Sequence, residues 1–253
     1  MTSVEPSLAW LTARPIAHRG LHNSNGRVEN TIAAFQAAVE SNFAIECDVM
    51  LCADEEVIVF HDVMLDRMAE ATGRVDSRTF AQLKATPLRS TNERIPLLSE
   101  LLEVVGGRVP IMVELKSPWP KHPPLARNVA AVLNGYQGRA AVMSFDPRLL
   151  MQMRRFAPHL PRGMVADHFD RDDWPDVPTI QRFGSRHMLG TPFVSPSFIA
   201  YNVLSLPAPA PSILRSVFRL PTLAWTVRSE AERTHALRHA DQIIFEDFDP
   251  DAT

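Results

Sequence analysis

The sequence predicts an α/β fold, a (β/α)8 barrel, on three observations. Short apolar runs of strand length alternate with longer segments of helical period along the chain. Alternation of this kind implies parallel strands, because each return to the sheet needs a crossover helix. About eight such units fit into 253 residues, and no glycine-rich turn joins a strand to a helix as an open doubly wound sheet would use.

In chain order, the first unit is a strand at 14–18 followed, after a polar loop, by a helix at 30–41. Its Ile32, Phe35, Ala38 and Val39 recur at helical spacing. Strands follow at 44–50 and 57–60, then a helix at 99–105 and a strand at 110–115. Beyond a proline-rich loop after Ser117, the pattern gives a helix at 124–133, a strand at 140–144, a helix at 147–156 and a strand at 162–165. The last third gives strands at 199–203, 222–227 and 242–245, with helices at 212–218 and 230–239 between them. Residues 62–96 carry no strand pattern and read as a short excursion over the barrel mouth. The 21 prolines crowd into loops and none forms a linker, so residues 1–253 read as a single domain.

Composition narrows the function classes. With 45% hydrophobic residues the chain can bury a large core. A balance of 26 basic against 29 acidic side chains, net charge -3, gives no field for a polyanion and argues against nucleic acid as a partner. The N-terminal stretch has an early acid and no apolar core of signal-peptide type, and no later run is long enough to span a bilayer. The expectation is a protein without membrane insertion. Cys47 and Cys52 lie too close in sequence to staple distant elements and read as reduced thiols of a cytoplasmic protein. Nothing in the pattern selects an oligomeric state.

Chemistry concentrates at the predicted strand ends, where parallel barrels place their sites. The first strand ends in Ala17-His18-Arg19-Gly20, which delivers a proton carrier and a planar fork of donors to the rim, with a glycine suited to the turn. In the second strand Glu46 and Asp48 share one face, since side chains alternate. Two inward carboxylates are costly unless a cation or a shared proton compensates. The strand at 110–115 repeats the device with Glu114, and Lys116 follows two residues on. Three carboxylates without clustered cysteine or histidine favour one divalent cation, Mg2+ or Ca2+, over zinc. The run at 57–60 brings a second histidine, His61, with Asp62. Taken singly, each of these residues has a structural reading; what distinguishes them is their joint occurrence at strand ends. His22, His122, His159, His168, His187, His235 and His239 fall in loops or on helical faces and read as structural, and Cys47 should pack behind the barrel wall.

These residues resemble the glycerophosphodiester phosphodiesterase family. The resemblance is carried by His18-Arg19-Gly20, Glu29-Asn30-Thr31, Glu46-x-Asp48, His61-Asp62 and Glu114-x-Lys116, supported by Leu65-x-Arg67, residues 73–75, Ile95-Pro96-x-Leu98 and Ala224-Trp225-Thr226-Val227. It is dense up to Ser117 and sparse between Pro118 and Leu220. It implies metal-dependent hydrolysis of small-molecule glycerophosphodiesters to sn-glycerol 3-phosphate and an alcohol. His18 and His61 would be the acid and base, Arg19 the phosphate clamp, and Glu46, Asp48 and Glu114 the ligands of the cation. Glu29 would support the site beside His18, Lys116 would face the phosphate or hydroxyls, and Trp225 would form an apolar wall for the glycerol. The substrate's own hydroxyl would attack phosphorus to give a cyclic phosphate that water opens.

The chain departs from the family where many members have Ile-Ile-Thr-Asp followed by proline. Here the text is Ile243-Ile244-Phe245-Glu246-Asp247, and Val28 stands where many have proline. These changes lie outside the proposed metal and histidine positions, so they are expected to bear on substrate choice more than on catalysis. Two alternatives compete. A lysophospholipase D-type enzyme would need an apolar entry path, and Trp119, Phe193 and Phe198 are too scattered in sequence to show one. A non-catalytic binding barrel for phosphorylated polyols would show degraded histidines or ligands, and all are intact.

Overall fold

The computed structural model describes residues 8–23, 26–116, 124–172, 174 and 177–252. The predicted loop after Ser117, with Trp119 and His122, lies outside them. The strands are β1 (Ile16–Ala17), β2 (Ala44–Leu51), β3 (Val57–Val59), β4 (Ile111–Leu115), β5 (Ala140–Ser144), β6 (Arg162–Ala166), β7 (Phe198–Asn202), β8 (Thr222–Val227) and β9 (Gln242–Phe245). All but β3 run parallel and close into a ring, with Ala17 of β1 facing Ile45 of β2 on one side and Phe245 of β9 on the other. The helices are α1 (Ile32–Glu40), α2 (Phe80–Ala85), α3 (Leu98–Val105), α4 (Leu125–Asn134), α5 (Pro147–Phe156), α6 (Thr179–Arg186), α7 (Thr191–Val194), α8 (Pro209–Ser216) and α9 (Glu230–Ala236). This is the (β/α)8 barrel that the alternation predicts.

Alternation of side chains divides the core in two. Ile45, Cys47, Val49, Ile111 and Val113 point outward and pack against Phe35 of α1 and Leu101 of α3, so Cys47 does sit behind the wall. Ile16, Ala44, Met112, Val165, Phe198 and Ile244 fill the interior, with Leu11 of a short N-terminal 3-10 turn (Leu8–Leu11) in the same cluster. The Phe198 ring takes the space beside Gly163 on β6, where a Cβ would stand 2.2 Å from it. A side chain at 163 and an aromatic at 198 therefore exclude one another.

The predicted strand at 57–60 forms, but it stands outside the ring. It runs antiparallel to the end of β2, Val49 opposite Val59, because the few residues between them allow a hairpin and not a crossover. The excursion at 62–96 contains α2, capped by a reciprocal bond between Thr79 and Gln82, and it has a core of its own. Leu65, Val75, Leu83, Leu88 and Ile95 cluster there with Ile58 and Phe60 of the hairpin. Helices α6 and α7 are absent from the sequence reading, and α6 buries none of its residues, so no apolar face marks it. Helix α8 starts earlier than expected, with Pro209 in its first turn, where a missing N–H costs nothing.

Candidate active site at the barrel mouth

The site grows from the loop after β1. His18 donates its backbone N–H to Phe245 of β9 at 2.9 Å, which fixes it at the rim. Gly20 follows with φ +80, and a Cβ there would stand 2.9 Å from Ala34 and Phe35 of α1, so both the turn and the close approach require glycine. The motif Glu29-Asn30-Thr31 resolves into three tasks. Thr31 caps α1 through Ala34 N–H, and Glu29 accepts from Arg19 at 2.7 Å. Asn30 donates from Nδ2 to Asp48 Oδ2 at 2.9 Å while its Oδ1 accepts Asp48 N–H at 3.3 Å.

Glu46 and Asp48 are fully buried on the inner face of β2, and Glu114 is nearly so on β4, whose register sets it opposite Asp48. One oxygen from each lies within 4.8 Å of the others. Lys116 Nζ sits 2.6 Å from Glu114 Oε1 and 3.0 Å from Asp48 Oδ1, while Arg19 donates its backbone N–H to Glu46 Oε2 at 2.9 Å. Glu46 Oε1 is buried without a hydrogen-bond partner. Burial, then the negative charges of Asp48 and Glu114, push the Glu46 carboxyl well above its ordinary range. Burial acts on Asp48 in the same direction, but Lys116 and Arg19 outweigh it and hold that group far below. A crowded trio of carboxylates in which Glu46 Oε1 has neither a hydrogen bond nor an ion pair among the described residues is a donor set that fits a hard divalent cation.

The two predicted histidines both line the cavity above this cluster. His61 arrives from β3, which descends alongside β2, and its Nδ1 is 2.7 Å from Asp62 Oδ1. Arg67 bonds both Asp62 (Nε to Oδ2, 2.6 Å) and Glu29 (Nη2 to Oε1, 2.6 Å). A continuous chain of charges, Arg19–Glu29–Arg67–Asp62–His61, thus ties the hairpin to the loop of His18. That accounts for the Leu65-x-Arg67 text, which spacing alone left without a role.

Glu246, at the end of β9, corrects the expectation that the departure there lies away from the histidines. Its Oε2 is 2.6 Å from His18 Nδ1 and 3.5 Å from His22 Nε2, and its Oε1 accepts from Arg228 at 2.7 Å. Burial works against the charged form of Glu246, but the bonds to His18 and His22 keep it ionised far below the usual range. His22, read as structural from sequence, is buried in this cluster, and the Glu246 bond raises it against the opposing effect of burial. Burial lowers His18, the Glu246 bond only partly opposing it. The signal for Glu246 was an acid at the end of the strand that closes the ring against β1.

Four aromatic rings line the far side of the cavity, beside the Asp146–Arg148 ion pair. Trp225 of β8 lines this side, with its ring edge-on to Phe145 at 5.4 Å, and Phe145 meets Trp174 at 5.1 Å and Phe169 at 5.9 Å. Of the aromatic residues considered for an apolar path, Phe198 is instead buried inside the barrel and Phe193 is exposed on α7.

The glycerophosphoryl diester phosphodiesterase family matches residues 18–250. A glycerophosphodiester phosphodiesterase of Caldanaerobacter subterraneus is 32% identical over 160 residues, 59% of this chain and 65% of the relative. One from Bacillus altitudinis is 34% identical over 161 residues, with the same coverage. The chain thus spans just under two thirds of the length of these relatives. Among solved structures, an Oleispira antarctica phosphodiesterase in complex with the product sn-glycerol-3-phosphate shares the fold with a TM-score of 0.76 at 21% identity, over 94% of each chain. A glycerophosphodiester phosphodiesterase from Thermotoga maritima gives 0.66 at 25% identity, over 91% of this chain and 92% of that one. With the motif residues gathered at one barrel mouth and the family match running across nearly the whole sequence, the chain belongs to the glycerophosphoryl diester phosphodiesterase family.

Proposed function

We propose that the chain hydrolyses glycerophosphodiesters to sn-glycerol 3-phosphate and an alcohol, working as a single domain. The observation that carries this reading is one cavity in which His18, His61 and Arg19 share walls with Glu46, Glu114 and Lys116. Glu46, Asp48 and Glu114 are the residues that would hold one divalent cation, Mg2+ or Ca2+, and the orphaned Glu46 Oε1 supports that assignment. Such a cation, when bound, supplies positive charge to the phosphoryl oxygens.

The chain's own groups do the rest. Arg19 keeps N–H donors beyond those turned to Glu29 and Asp48, and these clamp the phosphate with Lys116 beside them. One of His18 and His61 takes the proton from the attacking hydroxyl and the other gives a proton to the leaving alkoxide. A hydroxyl of the substrate's glycerol is the nucleophile, and water opens the resulting cyclic phosphate, so water's hydroxyl ends on phosphorus and its proton replaces the one lost. Glu29 holds Arg19 in place, and Trp225 walls the glycerol. The Oleispira protein's bound sn-glycerol-3-phosphate supports the product assigned here. Two buried, unbridged cysteines support a cytoplasmic setting.

The test is release of sn-glycerol 3-phosphate from glycerophosphocholine and glycerophosphoethanolamine with Mg2+, Ca2+ or chelator. Cation-dependent release is expected; no release from either substrate under any cation overturns the reading.

A further inference from the structure

The loop after β1 and the end of β9 build a second cluster of metal-ligating atoms beside the three carboxylates. His18, His22 and Glu246 each offer one donor atom, and these atoms lie within 4.8 Å of one another. Glu246 Oε2 is the shared centre, 2.6 Å from His18 Nδ1 and 3.5 Å from His22 Nε2. His22 is 8% exposed, and its Nε2, closed to solvent, makes no hydrogen bond of good geometry among the described residues. At 3.5 Å the carboxylate is too loose a contact to satisfy it. A buried imidazole nitrogen in that state, aimed at a carboxylate that a second imidazole already touches, points to an occupant between the three.

We propose that His18 Nδ1, His22 Nε2 and Glu246 Oε2 form a site for Zn2+, distinct from the hard-cation site, and that filling it silences His18. Donor chemistry separates the two sites. Glu46, Asp48 and Glu114 present oxygen alone, which suits Mg2+ or Ca2+, whereas two imidazoles and one carboxylate suit Zn2+. The geometry is close to what zinc needs. Bonds of about 2.0–2.1 Å in a tetrahedral shell set neighbouring ligand atoms about 3.3 Å apart. His22 Nε2 already stands near that distance from Glu246, and His18 has to retreat from 2.6 Å by about 0.7 Å. Arg228 donates to Glu246 Oε1 at 2.7 Å, which turns Oε2 toward the rings, and it is half exposed, so solvent screens its charge from the ion. His18 and Arg228 both line the main cavity, which gives the ion a way in.

The consequence for His18 follows from its two nitrogens. In the unfilled site Nδ1–H donates to Glu246, and Nε2 keeps a lone pair. Zinc on Nδ1 moves that proton to Nε2 and leaves the ring neutral. Nε2–H then faces Glu46 Oε2, 3.9 Å away, as metal-bound histidines commonly face a carboxylate. In that form Nε2 has no lone pair to take a proton from a hydroxyl, and a neutral ring is a poor donor to an alkoxide. The silencing rests on the acid–base role proposed above for His18; the site itself does not.

The site is tested by calorimetry of Zn2+ with the metal-free full chain carrying Glu46→Gln, or Asp48→Asn as a second background, either of which disables the carboxylate trio. One Zn2+ per chain is expected, and adding His22→Gln or Glu246→Gln should weaken its binding by about tenfold or more. No Zn2+ bound in either background, or an affinity that His22→Gln leaves unchanged, overturns the site. The silencing is read in the wild-type enzyme saturated with Mg2+, where added Zn2+ should abolish release of sn-glycerol 3-phosphate from glycerophosphocholine and further Mg2+ should not restore it. His22→Gln, compared with its own zinc-free rate, should need about tenfold more Zn2+ or beyond for the same loss. Zn2+ that binds without slowing the reaction, or a loss that excess Mg2+ reverses, overturns the silencing. If neither glycerophosphocholine nor glycerophosphoethanolamine is cleaved under any cation, the phosphodiesterase reading fails and the calorimetry decides the site by itself.

Discussion

His18 Nδ1 lies 2.6 Å from Glu246 Oε2, although the two residues are 228 positions apart. A carboxylate held ionised can only accept, so Nδ1 carries the proton. That fixes the tautomer and leaves the Nε2 lone pair facing Glu46 Oε2, 3.9 Å away.

Glu246→Gln should therefore cost activity with little change in fold. An amide can offer Nδ1 the wrong partner, and a mis-set tautomer in other histidine–carboxylate pairs is expensive. We expect kcat to fall by about tenfold or more with KM changed less, and Glu246→Asp to recover part of the loss. A kcat equal to wild type in Glu246→Gln would remove the positioning role.

Arg67→Met tests the chain of charges between the two histidines. Arg67 is half exposed, so its ion pairs should contribute no more than about 1 kcal/mol to stability. Turnover should fall more than stability does, because Asp62 and Glu29 lose the group that holds both. Chemical denaturation beside steady-state kinetics separates the two effects.

Cation binding should raise Tm at neutral pH. Glu46 has a raised folded-state pKa, so its contribution to stability is full below about 4.5 and lost as pH rises through that raised value. Above that window an ion that compensates the charge relieves the cost, and one saturating to about a hundred times its Kd adds about 2.7 kcal/mol. Glu46→Gln or Asp48→Asn should abolish the shift seen by differential scanning fluorimetry. His18→Ala and His61→Ala should retain it while losing about a hundredfold or more in turnover.

Acid should act through the opposite sign. Glu29, Asp62 and Glu246 all have depressed folded-state pKa values, set against burial by Arg67 and Arg19, by His61 and Arg67, and by His18 and His22 respectively. Their stabilisation is present above their unfolded values near 4 and is lost as pH falls below them. In chelator, Tm should drop by several degrees between about pH 5 and pH 3, and Glu246→Gln should flatten that drop.

Gly163→Ala should destabilise by about 1–3 kcal/mol by forcing a methyl group into the Phe198 ring. Phe198→Leu in the same chain should recover part of the loss, a coupling that a double-mutant cycle in urea measures.

Strand-end chemistry was legible because it is local. Glu46-x-Asp48 and Glu114-x-Lys116 need only the alternation of a strand to converge, and the structure brings all four together. The Val57 run was legible as a strand but its direction was not, since periodicity carries no sign of pairing. Helix α6 escaped notice because it buries nothing, so no apolar stripe announces it. The aromatic wall escaped notice for another reason. Phe145, Phe169, Trp174 and Trp225 come from separate loops and a strand, and only closure of the ring brings their rings within contact. Glu246 belongs to the same class, a residue whose neighbour is set by topology and not by spacing.

Closure of β9 against β1 also makes one residue near the start of the barrel depend on its far end. Both the carbonyl that anchors the His18 backbone and the carboxylate that sets its ring belong to Phe245 and Glu246. The carboxylates on β2 and β4 meet through a pairing of neighbouring strands, whereas His18 finds its partners only across the seam that turns the sheet into a ring. The same seam that shuts the barrel therefore orients the imidazole, and a fold opened at β1–β9 would keep its acidic trio and lose the alignment of His18.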